Sequence, residues 1–230
     1  MTNTDTTRTA LVTGGSAGLG LALTRALAAD GWRVVTDARD ADRLTRAHHD
    51  SGAVTIPGDV TDREHRDALV AAVPEGLDLL VLNSSTLGPL PMRPLKDYEQ
   101  TDIDGVLRSN AGGPLALLIA LADRLRPDTG IVVGISSDAA VEHYPGWGLY
   151  AASKAALDQL VLTFAAETGL TGYAFDPGDM RTQMHQDAFP GEDISDRPEA
   201  ATVVPTLLRL ITSGAPSGRY RSADAFAGVS

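Results

Sequence analysis

The sequence predicts a single-domain α/β protein with a doubly wound parallel sheet of about seven strands and helices on both faces. Short apolar segments alternate with helical patterns along the 230 residues, which implies parallel strands joined by right-handed crossovers. A glycine-rich segment, Thr13–Gly20, separates the first apolar segment from the first helical pattern. A chain of this length with 43% apolar residues can build one substantial core, so residues 1–230 are expected to form one Rossmann-like domain.

Each strand predicted in the first half is a short apolar run, and each predicted helix repeats its apolar residues every three or four positions. In the first helix, for example, Leu19, Leu23 and Leu27 recur at helical spacing. In chain order the predicted elements are strand 9–13, helix 18–29, strand 32–36, helix 41–50, strand 53–56, helix 62–73 and strand 77–82.

The second half is expected to contain two long helices and three strands. Residues 183–198 are rich in proline, glycine and acidic residues and are expected to form a substrate loop or lid, and the polar residues 1–8 a flexible N-terminus. In chain order the remaining elements are helix 98–126, strand 130–137, loop 138–149, helix 150–168, strand 173–175, helix 199–211 and a short strand 219–221.

Composition excludes several classes of protein. The formal charge of −11 disfavours a nucleic-acid or anionic-membrane partner, because the surfaces that bind them are basic. The chain has no cysteine, which excludes disulfides and thiolate catalysis. No apolar run approaches the ~20 residues of a membrane span, and the first eight residues lack the apolar core of a signal peptide, so a soluble, cytoplasmic protein is expected.

No metal site is expected. His48, His49 and His65 stand among polar residues, and none has a second ligand at a suitable spacing. His48 and His49 are expected to lie at a solvated helix end.

Tyr150 and Lys154 are four positions apart, so they lie on one face at the start of a predicted helix. This pair alone is common on solvated helix surfaces. Here, however, Ser137 ends the preceding predicted strand, and the glycine segment Thr13–Gly20 lies upstream. Together these motifs resemble the short-chain dehydrogenase/reductase family, in which a Thr-Gly-x-x-x-Gly-x-Gly turn, a serine and Tyr-x-x-x-Lys occur in this order. The resemblance covers residues 8 to 222.

Tyrosine, with an unperturbed pKa of ~10, is a poor base at neutral pH. One cation about 4 Å away contributes roughly 4 kcal/mol at an effective dielectric of ~20. Lys154 is spaced to be that cation, and the positive nicotinamide of an oxidised cofactor would add to its effect, so the pKa of Tyr150 is predicted to fall to near neutral pH. The resemblance implies that Tyr150 is the general acid/base and that Ser137 orients the substrate oxygen. It also implies that Lys154 holds the nicotinamide ribose and that Asn110 holds a water beside it.

The glycine segment is expected to bind a dinucleotide. Gly14, Gly18 and Gly20 suit a tight strand-to-helix turn where backbone approaches a pyrophosphate, and the following helix directs its N–H groups at that anion. The alternative is that these glycines only shape a turn. The resemblance implies a cofactor site that also includes Ser16, Leu19, Arg39, Asp59, Val60, Asn83, Tyr150, Lys154, Pro177, Gly178 and Thr182.

One segment departs from the family pattern. The family usually has Asn-Asn-Ala-Gly after the fourth strand, whereas this chain has Asn83-Ser84-Ser85-Thr86. Asn83 is kept and no catalytic group is lost, but the backbone path past the nicotinamide ribose is put in question.

The end of the second strand predicts NADP(H) rather than NAD(H). The position of the family's ribose-binding acid is Ala38, and Arg39 follows it, where a guanidinium can bind a 2′-phosphate. Asp37 comes one residue too early and should point to the other face by strand alternation. Two alternatives remain open: a one-residue slip would bring Asp37 into the site, and Arg39 could be an ordinary solvated residue.

The expected function is an NADP(H)-dependent alcohol/carbonyl oxidoreductase acting on a small molecule. The alternatives are a catalytically silent dinucleotide-binding regulator or scaffold of the same fold, and a sugar-nucleotide epimerase or dehydratase. The family's use of its two long helices at subunit interfaces implies a homodimer or homotetramer, although Leu115, Leu118, Leu157 and Val161 on these helices are equally expected in the core. Candidate substrate contacts lie in 86–90, 139–147 and 179–189 and include His143, Trp147, Met184 and His185.

Overall fold

Seven strands pair in parallel into one sheet within residues 7–224, the part of the chain that this computed structural model describes. The strand order is β3-β2-β1-β4-β5-β6-β7, which confirms the expected doubly wound sheet. The predicted flexible N-terminus falls mostly on residues 1–6, which lie outside the described residues. The strands are β1 (Thr9–Val12), β2 (Arg33–Ala38), β3 (Val54–Pro57), β4 (Leu79–Leu82), β5 (Ile131–Ile135), β6 (Thr171–Asp176) and β7 (Gly218–Arg221).

Helices cover both faces of the sheet, because the strands are apolar on both sides and each side must be buried. One core contains side chains of α1 and α8, and the other contains side chains of α3, α5 and α6. The α-helices in the described part are α1 (Gly18–Ala29), α2 (Ala41–His48), α3 (Arg63–Ala72), α4 (Gln100–Leu107), α5 (Gly113–Leu121), α6 (Gly148–Thr168), α7 (Gln183–Ala188) and α8 (Val204–Thr212).

The long helical stretch predicted at 98–126 is interrupted. A π-helical turn, Arg108–Gly112, separates α4 from α5, and Pro114 stands in the first turn of α5. Proline has no N–H to donate, so the regular hydrogen-bond ladder cannot run through this point. The interruption carries Asn110, which is fully buried.

The segment predicted as a loop or lid begins with a helix. Thr182 accepts a hydrogen bond from the backbone N–H of His185 at 3.2 Å and so caps α7. The rest of 183–198 is turns and irregular chain. A lid function for this segment stays a prediction.

The stretch Gln100–Arg124 has the length and apolar composition of a membrane span, but 44% of its most apolar window is buried inside the molecule. Core helices of soluble proteins share these properties, so the stretch is weak evidence for a membrane protein.

The order of the strands places the functional crevice. The chain runs outward from β1 to β3 and then returns to β4, on the other side of β1. Ligands of such sheets bind at the carboxyl ends of the strands where this reversal occurs. Here the ends of β1, β2, β4, β5 and β6 carry the polar side chains described below.

Helix α6 is held unusually close to the sheet. A Cβ atom on Gly172 of β6 would lie 2.6 Å from the Cβ of Ala165 and 3.0 Å from the carbonyl oxygen of Val161. Only glycine permits this approach at that position. The close packing holds Val161 and Ala165 of α6 against β6, and the start of the same helix carries Tyr150 and Lys154.

Gly20→Ala is expected to reduce the free energy of unfolding by about 1–3 kcal/mol, because a methyl group there overpacks the turn. Its Cβ would lie 2.4 Å from the carbonyl oxygen of Gly14 and 2.5 Å from Nδ2 of Asn83. Urea unfolding monitored by circular dichroism measures the change. The matched control is Gly105→Ala in α4, where no atom lies within 4 Å of the added methyl. It should raise stability by up to about 1 kcal/mol. Equal stability of Gly20→Ala and the unmodified protein would contradict the packing argument.

Candidate active site

A cleft of about 550 Å³ opens at the carboxyl ends of the strands and contains most of the predicted site residues. Of the predicted set, Gly20, Asp59 and Asn110 do not line its wall. Gly20 packs against Gly14, and Asp59 accepts a hydrogen bond from the N–H of Thr61 at 2.8 Å. The predicted residues that line the cleft are Gly14, Ser16, Gly18, Leu19, Arg39, Val60, Asn83, Ser137, Tyr150, Lys154, Pro177, Gly178 and Thr182.

The glycine turn between β1 and α1 is braced by side chains from neighbouring strands. The N–H of Gly14 donates to Oδ1 of Asp37 at 2.8 Å, and Nδ2 of Asn83 donates to the carbonyl oxygen of Thr13 at 2.8 Å. Helix α1 has no side-chain N-cap and no acidic residue in its first turn. Its first N–H groups and the positive end of its dipole therefore remain available to an anion in the cleft.

Two buried histidines support the same turn. Nε2 of His48 donates to the carbonyl oxygen of Gly15 at 2.8 Å, and Nε2 of His65 donates to Oδ2 of Asp37 at 2.9 Å. The prediction that His48 lies at a solvated helix end is wrong, since only 5% of it is exposed; His49 is exposed.

The sequence contains a signal for both buried histidines. His48 follows the buried Leu44 by four positions, and His65 precedes the buried Leu69 by four, so each lies on the apolar face of its helix. This four-residue spacing from a core leucine is the pattern that indicates a buried ring at both positions.

The carboxylate of Asp37 lies beneath the glycine turn, so the prediction that it points away from the site is wrong. Strand β2 continues through Ala38, two residues beyond its predicted end. Asp37 is 1% exposed, and its two oxygens are used by Gly14 and His65. It is therefore not available to ribose hydroxyls, although it lines the cleft.

The cleft is cationic just beyond Asp37. Arg39 and Arg43 are exposed and line the cleft, and their guanidinium groups have no hydrogen bond or ion pair within residues 7–224. Asp40 stands between them but accepts a hydrogen bond from the N–H of Arg43 at 2.9 Å as the cap of α2.

Asn110 ties the π turn to the segment after β4 and to α6. Its Oδ1 accepts from the N–H of Thr86 at 2.8 Å, and its Nδ2 donates to the carbonyl oxygen of Thr86 at 2.8 Å and to Oγ of Ser153 at 2.9 Å. Both amide hydrogens are therefore used inside the protein. The predicted water beside Lys154 remains a prediction.

Ser137 and Tyr150 lie together in the cleft with an acidic neighbour. The Ser137 hydroxyl donates to Oδ1 of Asp138 at 3.0 Å. Burial is the largest influence on Tyr150 and raises its pKa to about 12. The hydroxyls of Ser137 and Ser85 act to lower this pKa, and the carboxylates of Asp138 and Asp176 act to raise it. Lys154 therefore does not bring the pKa of Tyr150 to near neutral pH in the free protein, so this part of the prediction is wrong; the contribution of an oxidised nicotinamide stays a prediction.

Lys154 is only 2% exposed and lines the cleft. Burial lowers its pKa to about 8, and the carboxylate of Asp158 acts in the opposite direction. Its ammonium group makes no hydrogen bond to residues 7–224, so its donors remain available to a ligand in the cleft.

Aromatic side chains line one end of the cleft. The ring of Trp147 packs edge-on against that of Tyr150, with centroids 5.8 Å apart, and lies 5.6 Å from that of Phe189. Met184 and His185 also line the cleft, whereas His143 is exposed and outside it. The sequence did not single out Asp138, Ser85 or Asp176, although each follows or ends a strand at the functional edge.

Comparison with known proteins gives a consistent result. The family model described as short chain dehydrogenase matches residues 8–193. Serine 3-dehydrogenase of Agrobacterium fabrum is 34% identical over 187 residues, which cover 76% of this chain and 73% of that protein. A putative short chain dehydrogenase from Pseudomonas syringae superposes with a TM-score of 0.87 at 27% identity, covering 94% of each chain. A putative short chain dehydrogenase from Shigella flexneri, complexed with NADP, gives a TM-score of 0.85 at 26% identity and covers 94% of this chain and 97% of its own.

We expect Tyr150 to stay protonated in the free protein well above neutral pH, because burial opposes the phenolate. Phenolate absorbance near 295 nm should therefore be equal in the unmodified protein and Tyr150→Phe between roughly pH 8 and pH 10. In the unfolded chain the absorbance of the two proteins should differ by the contribution of one phenol, which titrates near ~10. An extra phenolate in the folded protein near neutral pH would show that the predicted lowering by Lys154 does operate.

Proposed function

The chain belongs to the short-chain dehydrogenase/reductase family, and we propose that it is an NADP(H)-dependent oxidoreductase that interconverts a ketone or aldehyde with the corresponding alcohol. The observation that carries the proposal is the presence of a phenol, a hydroxyl and a buried ammonium in the same cleft as the glycine turn. These are the groups of Tyr150, Ser137 and Lys154.

The residues of the cleft fit a dinucleotide. The uncapped start of α1 suits a pyrophosphate. The buried ammonium of Lys154, which has no hydrogen-bond partner in the described part of the chain, suits the nicotinamide ribose hydroxyls. A Cβ on Gly18 would lie 3.4 Å from Cγ2 of Thr182, so the turn and the segment after β6 close on the same space.

The basic end of the cleft supports NADP(H). A 2′-phosphate carries charge that the unpaired guanidinium of Arg39 can bind, with Arg43 one helical turn further. The carboxylate that could have favoured NAD(H), that of Asp37, is occupied by Gly14 and His65. The similar structure from Shigella flexneri, described as complexed with NADP, is consistent with this preference.

When bound, the reduced cofactor would supply the hydride that reduces the carbonyl carbon. Tyr150 gives its proton to the carbonyl oxygen, for which a phenol that is protonated at neutral pH is suited. Ser137 orients that oxygen by turning its hydroxyl from Asp138 toward the substrate. Lys154 holds the ribose hydroxyls and favours the phenolate that proton transfer leaves behind.

The charges of the chain predict different pH dependences for the two directions of the reaction. Alcohol oxidation needs Tyr150 as a base, and burial together with Asp138 and Asp176 keeps its pKa at about 12. Oxidation should therefore become faster as the pH rises, whereas reduction has its proton donor in place throughout the neutral range.

The alternative is a dinucleotide-binding regulator or scaffold without turnover. It is less well supported, because the predicted Asn110, Ser137, Tyr150 and Lys154 are all present, and three of them line one cleft. NADPH binding without turnover of any carbonyl would favour this alternative.

We further propose a soluble, cytoplasmic homodimer or homotetramer. Leu118, Leu157 and Val161 are buried in the core of one subunit and are not available for an interface. Ile119 on α5 and Leu107 at the end of α4 are exposed apolar residues of the interrupted helix and are suited to contact a partner.

Tyr150→Phe should reduce kcat for carbonyl reduction by about 10²–10⁴-fold, the usual loss when a general acid is removed. The dissociation constant of NADPH, measured by fluorescence titration, should stay within about twofold, because phenylalanine keeps the ring packing. The matched control is Tyr144→Phe. Tyr144 is an exposed tyrosine whose hydroxyl donates to Asp138, and it has no assigned role in the reaction. It should keep most of the activity. Full activity of Tyr150→Phe would refute the assigned chemistry.

Arg39→Gln should weaken NADPH and leave NADH unchanged. Loss of a charge-assisted contact of about 1.5–3 kcal/mol corresponds to roughly 10–150-fold in KM for NADPH. The control is Arg46→Gln, in the last turn of α2, the helix that follows Arg39, and outside the cleft. Steady-state kinetics with both cofactors measures the ratio. An equal loss with NADPH and NADH would show that Arg39 does not contact the phosphate.

A further inference from the structure

Arg219, on the last strand β7, connects the ends of two other strands and a helix beneath the cleft. Its Nη2 donates to the carbonyl oxygen of Ser137 at 2.8 Å and to Oδ2 of Asp176 at 3.2 Å, and its Nε donates to Oδ2 of Asp158 at 3.3 Å. The guanidinium is largely enclosed, with 21% of the side chain exposed. One planar group thus links the ends of β5 and β6 to the middle of α6.

Asp158 follows Lys154 by one helical turn on α6 and is 8% exposed. Its Oδ2 accepts from Oγ of Ser136 at 2.7 Å, while its Oδ1 is buried and makes no hydrogen bond to residues 7–224. A buried carboxylate of this kind is costly unless cations compensate it. The cations beside it are Lys154 on its own helix and Arg219 from β7.

We infer that Asp158 and Arg219 are positioning residues for the reaction, an inference whose catalytic meaning rests on the proposed function. Asp158 keeps the ammonium of Lys154 charged, and Arg219 fixes the backbone at Ser137 while holding Asp158 as an anion. Neither side chain lines the cleft, so neither is expected to touch a substrate or cofactor.

Asp158 and Lys154 each affect the pKa of the other. Burial lowers the pKa of Lys154 to about 8, and Asp158 raises it. Burial raises the pKa of Asp158, and Ser136, Arg219 and Lys154 lower it. Removing Arg219 should therefore make Asp158 easier to protonate, which in turn weakens the support that Asp158 gives to the charge of Lys154.

The other ionisable groups around Lys154 do not replace Asp158. Tyr150 is on the same helix and neutral at physiological pH. Asp138, after β5, and Asp176, at the end of β6, act on Tyr150, and Asp176 is already paired with Arg219 and Arg221. The π turn contacts α6 through Asn110, which donates to Ser153, the neighbour of Lys154, and carries no charge.

The sequence permits a direct measurement, because the chain contains only two lysines, Lys96 and Lys154. In protein labelled with ¹³C at lysine Cε, a heteronuclear NMR spectrum should show two Cε signals. Lys96 is exposed and provides the reference, and Lys96→Arg assigns the other signal. The titration of Lys154 is then followed in the folded protein without any substrate, so the result does not depend on the proposed activity.

Asp158→Asn should move the titration midpoint of Lys154 to lower pH than in the unmodified protein, because it removes the influence that raises this pKa. The asparagine keeps the shape and a donor and acceptor for Ser136. In the complete enzyme, the activity lost as Lys154 deprotonates should then be lost at lower pH. An unchanged midpoint in folded Asp158→Asn overturns the inference, because a purely structural carboxylate would leave Lys154 unaffected.

Arg219→Met should lower kcat for carbonyl reduction by at least about tenfold with a smaller change in KM, because the contact that fixes the backbone at Ser137 is lost. Arg219→Lys is the second variant if the methionine protein does not fold. It keeps a charge but cannot reach all three acceptors, so kcat should fall as well.

The matched control is Arg221→Met. Arg221 is on the same strand and pairs with the same Asp176 at 3.5 Å, but it is half exposed and has no contact with Ser137 or Asp158 among the described residues. It should leave the Lys154 midpoint and kcat unchanged. Equal losses of kcat in Arg219→Met and Arg221→Met would overturn the specific role of Arg219. A shifted midpoint in Asp158→Asn, in a protein that reduces no carbonyl, would support the charge assignment and refute the proposed function.

Discussion

The burial of one ammonium group, that of Lys154, is the constraint on which this site depends. A lysine that is 2% exposed loses most of its hydration. The carboxylate of Asp158 lies one helical turn away, but the ammonium makes no hydrogen bond within the described part of the chain. Such an arrangement costs stability unless something in the cleft completes it. Gly172 of β6 packs against Val161 and Ala165 further along α6, so the helix that carries Lys154 lies close to the sheet. The buried ammonium therefore destabilises the free protein at the point where a polar ligand is expected.

The glycine turn of the cleft is built differently, because the side chains that brace it find their partners within the protein. Asp37 binds the backbone of Gly14, His65 binds Asp37, and His48 binds Gly15. These contacts come from β2, α3 and α2, three separate elements, and converge on one turn. The turn is therefore held rigid before a ligand arrives, which lowers the entropic cost of binding.

Much of this could be read from the sequence, and the exceptions have physical causes. The alternation of strands with helices predicted the sheet, and the spacing of Ser137, Tyr150 and Lys154 placed them in one cleft. The pKa of Tyr150 could not be inferred from spacing, because desolvation acts on it more strongly than any neighbouring charge. The contact of Arg219 with Ser137 could not be inferred from the sequence either. Arg219 is distant in sequence from Ser137, and only the parallel pairing of β7 with β6 brings it under the site.

Burial acts in opposite directions on the two reacting groups, and this has a consequence for the proton. It raises the pKa of Tyr150 to about 12 and lowers that of Lys154 to about 8, so the ammonium is the stronger acid of the two. At neutral pH the phenol is therefore neutral, whereas the ammonium is largely charged. Asp158 favours the charged ammonium, and Arg219, which donates to Asp158 from β7, favours the charged carboxylate. The carboxylate on α6 thus supports a positive charge in the cleft without lining the cleft itself.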